Sequence, residues 1–333
     1  MILHPGVMAL LLGSGLTSAL LCASALQGLR IIRCWDLSSG SAGQLELERR
    51  TYLISTMMSY VLGFQVLSLF LFIHTVDSLS PMFIGAMCAA GSLKVNGFGY
   101  PTLIAKIINC LLAGLWLIVN ATDNKAPDYP LIRDKYRLLL AMTPLLLAEA
   151  ALQGLYLLGL KPDIITSCCA IVFGTEANTV VGGLLALPLR FSVGIFVASA
   201  AVTVASGLYV CVTSRGTRLL ALASAGHLVV AIASLISFIS LYFYELPTHH
   251  CPFCILHREY ASIGYVLYLA LLVGAIAGTG VGVIDRYRPV PTLRAIIPRS
   301  QQRLALISLL ANLSFLAITG WRMHHAHLSL PLF

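Results

Sequence analysis

Apolar residues in this chain come in long runs broken by short polar stretches. Eight runs, at roughly 5–29, 52–76, 101–121, 137–159, 188–213, 219–243, 260–284 and 303–321, are each long enough to cross a hydrocarbon core as a helix. A helix is the natural reading, because a spanning segment must satisfy its backbone polar groups internally. The pattern therefore predicts an all-α, polytopic integral membrane protein with about eight transmembrane helices. The first run has no basic segment ahead of it, and Arg30 and Arg33 follow it, so it reads as a retained span rather than a cleaved leader. The connections are short, apart from Lys161–Pro188, which is apolar enough to lie in the interface.

Composition agrees: hydrophobic residues make up 58% of the chain and charged residues 10%, which no soluble domain of this size carries. A net charge of +8 on a soluble chain would suggest nucleic acid. Here its distribution speaks of topology, and nucleic acid is not expected as a partner. Arg30, Arg33, Arg49 and Arg50 follow the first span, and Lys125, Arg133, Lys135 and Arg137 lie between the third and fourth. Arg215 and Arg218 join the fifth and sixth, and Arg286, Arg288, Arg294, Arg299 and Arg303 the seventh and eighth. Basic residues thus collect on alternate connections, which places those in the cytoplasm and both termini outside. The expected location is the cell inner (cytoplasmic) membrane, with the lipid bilayer as the main surroundings. Three sections follow: 1–135, a three-helix unit; 136–285, a four-helix core with the outer cysteines; and 286–333, a cytoplasmic loop with the last helix.

Candidate chemistry concentrates in Glu245–Tyr260, ELPTHHCPFCILHREY, where a C-x-x-C pair and three histidines meet at a membrane surface behind the aromatic stretch LYFYE. By the same topology Cys88, Cys168, Cys169, Cys251 and Cys254 face outward, while Cys22, Cys34, Cys110 and Cys211 lie in spans or at the inner face. Outward thiols are candidates for pairing or redox work. The pairs Cys168/Cys169 and Cys251/Cys254 share a side, which permits disulfide exchange between them. The C-P-F-C is expected to open the seventh helix, whose N-terminus would stabilise a thiolate. The same residues offer a metal site: His249, His250, Cys251, Cys254 and His257 supply mixed N/S ligands for zinc or copper. Glu149, deep in the fourth span with Gln153 one turn on, is either a functional carboxylate or a hydrogen-bonded packing lock.

From Tyr136 to Asp285 the order helix, outer cysteine loop, helix, helix, C-x-x-C, helix resembles the vitamin K epoxide reductase-like family, and more loosely the bacterial membrane disulfide oxidases. The resemblance rests on Cys251-Pro252-Phe253-Cys254 and on the SCCAIVFG loop with Gly182 and Gly183 beyond it. It implies that C-x-x-C exchanges electrons with a bound quinone, with Cys254 nearest the quinone. Cys251 would then exchange with Cys168 or Cys169, which pass electrons to or from a thioredoxin-like partner. Glu149 and Gln153 are candidates for proton or quinone contacts. Two alternatives remain: metal handling through the Cys/His cluster, and a quinone-binding or anchoring subunit of a respiratory complex with a cytochrome partner on the outer face.

Overall fold

The computed structural model describes residues 3–36, 41–162, 164–166 and 188–328. It is helical, with an isolated parallel bridge between Ile84 and Ile165 as the one β contact among the described residues. Among the described residues eight helices are long and apolar enough to cross a membrane, which makes the chain a multi-pass membrane protein. They are α1 (Pro5–Cys34), α2 (Ala42–Ser78), α3 (Gly99–Asp123), α4 (Ile132–Leu158), α5 (Leu189–Thr213), α6 (Thr217–Tyr244), α7 (Ile263–Asp285) and α8 (Ile296–His325).

Several ends fall outside the apolar runs, for local reasons. Helix α2 begins ten residues before the expected span, within a stretch the sequence reads as a loop; Glu46 and Arg50, one turn apart, pair there at 2.7 Å. Helix α7 starts at Ile263, because Ala261 and Ser262 both adopt left-handed backbone (φ 53° and 52°) that no right-handed helix can include. The C-P-F-C therefore does not open a long helix, as the sequence suggested. It lies in a loop, with Cys254 beginning one 3-10 turn, Cys254–Leu256. Neither cysteine therefore stands in the first turn of α7.

Packing divides the chain into two units. The first comprises Met1–Thr75, Asn96–Lys161 and Arg286–Pro298. Its core joins Leu21, Met58, Leu62, Trp116, Tyr136 and Leu139, with α4 packed on α1 and α3. The boundary expected at 135/136 falls inside α4. Two buried ion pairs fasten this unit: Lys106–Glu149 at 2.7 Å and Lys135–Asp123 at 2.7 Å. Lys135 is thus a buried partner of Asp123 and no solvated loop charge.

The second unit comprises Val76–Val95, Pro162–Asp285 and Arg299–Phe333. Its tightest seam lies along α7, where Gly274, Gly278 and Gly282 recur at every fourth position. A Cβ on Gly278 would collide with Ser224 of α6, one on Gly282 with Ala221, and one on Gly274 with Asn312 of α8. Small residues at this spacing let membrane helices approach closely. This seam fixes α6 against α7 and hence the ends of the loop that joins them. In α6 the turn widens to a π-helix over Leu235–Ile239.

Candidate functional site

Three cysteines from two connections meet in the second unit. Cys88 follows the end of α2, and Cys251 and Cys254 lie between α6 and α7. The Sγ atoms of Cys88 and Cys251 are 3.5 Å apart, and all three Sγ atoms lie within 4.8 Å of one another. The three residues are 0%, 1% and 8% exposed, Cys254 being the most accessible.

The surrounding loops are held by their backbones. Tyr244, in the last turn of α6, donates its hydroxyl to the carbonyl of Cys251. Tyr268 of α7 donates to the carbonyl of Pro252 at 2.6 Å. Behind Cys88, the backbone N–H of Ala89 donates to Asp77 Oδ1 at 2.9 Å, anchoring the short helix Ala89–Leu93. The segment from Cys88 to Leu93 is buried throughout. Gly85 in this connection has φ +86°, and a Cβ there would meet the Thr166 carbonyl at 2.5 Å, so glycine alone suits both the backbone and the space.

The histidines proposed as ligands have other partners. His257 Nε2 donates to Asp77 Oδ1 at 3.0 Å. That hydrogen bond raises the pKa of His257 above the usual value; the charge of Asp77 adds to it, and partial burial opposes it. His250 Nδ1 lies 3.1 Å from the carbonyl oxygens of both Ile236 and Ser237, inside the π-helical turn. Carbonyls only accept, so Nδ1 carries the hydrogen there. A π-turn releases carbonyls from the regular ladder, and His250 takes them up. His249 sets its ring edge-on to Tyr244 at 4.6 Å. Among the described residues, the group that can hold a metal is Cys88, Cys251 and Cys254; the expected set of His249, His250 and His257 with the two cysteines is not gathered into one group. Cys168 and Cys169 lie outside the described residues.

Glu149 and Gln153 belong to the first unit. Glu149 is 3% exposed and accepts from Lys106 Nζ, from Gln65 Nε2 and from Asn109 Nδ2. Gln153 Nε2 donates to the Leu10 carbonyl at 3.0 Å and to Ser14 Oγ at 3.1 Å. These bonds tie α4 to α2 and α3 through the glutamate and to α1 through the glutamine.

Beside the cysteine loop, a groove of about 550 Å³ opens between α6, the Glu259–Ile263 segment and α8. Phe243, Tyr260, Ile263 and Trp321 give it apolar walls, and Glu259 and Arg322 give it charge. The Tyr260 ring packs on Tyr244 at 5.0 Å, so the groove wall touches the residue that holds Cys251. Burial, with Cys254 and Glu259 nearby, pushes the Tyr260 phenol up. Arg322 of α8 bonds the Phe243 carbonyl at 3.1 Å and Glu245 at 3.3 Å, closing the end of α6.

Cys88 is the site residue that the sequence reading set aside. Its signal was the run of small residues around it, GAMCAAGS, whose compactness brings the chain close enough for a thiol contact across the fold. No family model, curated relative or solved structure matches the chain.

Proposed function

We propose that the protein is a membrane thiol–disulfide oxidoreductase whose working centre is Cys88, Cys251 and Cys254, with a membrane quinone as electron acceptor. The observation that carries this reading is the shared central sulfur. Cys251 has Cys254 in its own loop and Cys88 Sγ at 3.5 Å, so it can bond to either by small side-chain rotations. Disulfide exchange needs this arrangement of an attacking thiolate beside a disulfide sulfur.

The Cys88 thiolate attacks Cys251 of a Cys251–Cys254 disulfide; the Cys88–Cys251 bond forms and Cys254 leaves as a thiolate. A dithiol substrate then reduces Cys88–Cys251, becoming a disulfide itself and leaving both residues as thiols. Cys251 and Cys254 finally lose two electrons and two protons and close their disulfide again. A quinone held between Phe243, Tyr260 and Trp321 would be the acceptor of those two electrons and two protons. The groove beside Tyr260 fits a quinone ring, offering aromatic and aliphatic walls with polar groups from Glu259 and Arg322. Cys254 faces this step, being the most accessible of the three.

By resemblance, Cys168 and Cys169 connect the centre to a thioredoxin-like protein. The basic connections between α1 and α2, α3 and α4, α5 and α6, and α7 and α8 support a cytoplasmic side for those loops. This supports a cysteine centre on the opposite, outer face, and the inner membrane is part of the same proposal. The test is differential alkylation of the thiols in membranes, with and without an added short-chain quinone. Quinone-dependent loss of alkylation at Cys251 and Cys254 is expected. Thiols that alkylate equally under both conditions would overturn the assignment.

A further inference from the structure

We propose that the reduced centre is also a metal site, in which Cys88, Cys251 and Cys254 form a trigonal thiolate cradle for one soft, low-coordinate monovalent cation of the cuprous kind. This rests on the geometry of the three sulfurs and not on redox turnover. Metal–thiolate bonds of about 2.3 Å place three ligands of a trigonal set about 4 Å from one another. The sulfurs here, with one separation of 3.5 Å and all within 4.8 Å, bracket that spacing.

The donor set decides the class of ion. All three ligand atoms are sulfur, and polarisable thiolates select soft cations. The nearby imidazoles lie outside this group of ligand atoms, His257 beside Asp77 and His250 beside the carbonyls of the π-turn. Among the described residues the group consists of these three thiols, the number of ligands a trigonal shell takes.

The cradle is also pre-formed. Tyr244 and Tyr268 pin the backbone at Cys251 and Pro252, and Asp77 pins the residue after Cys88. A ligand shell fixed before binding loses little on ordering. Loading exchanges thiol protons for the ion, so affinity rises with pH. A loaded centre has no thiol left to form either disulfide, so occupancy by such an ion would halt exchange.

The experiment uses the full-length protein in detergent, reduced and anaerobic, titrated with Cu(I) against bicinchoninate as competitor. One Cu(I) per chain is expected, and X-ray absorption should give a shell of sulfur alone. Cys88→Ser should weaken binding by more than about tenfold, the least that losing even a residue supporting a ligand costs, while Cys22→Ser leaves it unchanged. The absorption spectrum of the unsubstituted protein carries the test even where a variant folds poorly. A shell containing nitrogen or oxygen, undiminished binding by Cys88→Ser, or displacement of the copper by equimolar Zn(II) would each overturn the proposal. Quinone-dependent thiol oxidation without copper binding removes this proposal alone. Copper binding without oxidation removes the oxidoreductase reading and leaves this one standing.

Discussion

Asp77 accepts two hydrogen bonds through one carboxylate oxygen, from His257 Nε2 and from the backbone of Ala89, and so joins both connections that carry the cysteines. The pair has a pH signature. His257 has its pKa raised in the fold above the 6.5 of an unperturbed imidazole. Its contribution to stability is therefore complete below pH 6.5 and is lost as pH rises through the raised value. Thermal unfolding in detergent should show this loss on the alkaline side of 6.5, and Asp77→Asn should flatten it; an unchanged profile in that variant would contradict the pairing. Tyr244→Phe removes the hydroxyl that holds the Cys251 carbonyl, at a cost of about 0.5–1.5 kcal/mol for the one hydrogen bond. Faster alkylation of Cys251 is the readout. At this scale the C-P-F-C was legible because two cysteines in four residues stand out in any sequence. Cys88 was not, since its partner is 163 positions away and the doubled Cys168/Cys169 drew the assignment instead.

The eight spans follow directly from the apolar runs, because a bilayer tolerates few other structures. Their ends do not, since side-chain pairing and backbone conformation set them. Ala261 and Ser262 show this best. Two left-handed residues without glycine stop the backward extension of α7 and leave the C-P-F-C in a loop. Such a conformation costs an ordinary residue roughly 1–2 kcal/mol, so Ala261→Gly should stabilise the protein by up to about 1 kcal/mol, less what the freer unfolded chain takes back. Chemical denaturation measures it, and destabilisation would contradict the backbone assignment. The seam of Gly274, Gly278 and Gly282 makes the opposite prediction. Gly278→Leu has no room beside Ser224 and should cost about 1–3 kcal/mol or more by overpacking, read as a lower melting temperature.

Across the whole molecule, the chemistry-bearing groups fall into two classes with different physics. In the first unit, Glu149 is enclosed by Lys106, Gln65 and Asn109, which bond it to α2 and α3. Removing one member of a buried pair strands the other charge, so Lys106→Met should cost about 3–5 kcal/mol. Adding Glu149→Leu to it should recover much of that loss, whereas a glutamate needed for chemistry would leave the double variant stable but inactive. An acidic residue in a span reads alike for either role, because the distinction lies in partners contributed by α2 and α3 that spacing along one helix does not reveal. In the second unit, three thiols converge from connections far apart in sequence, and convergence of that kind is set by how helices pack.

The measurement that bears most directly on the three-cysteine centre is a disulfide map of the Cys254→Ser variant after mild oxidation in membranes. With Cys254 removed, Cys251 should pair with Cys88, and peptide mass spectrometry should recover that linkage as the main cross-link. Cys251 bonded to Cys168 or Cys169 instead, with Cys88 still open to alkylation, would contradict the centre described here.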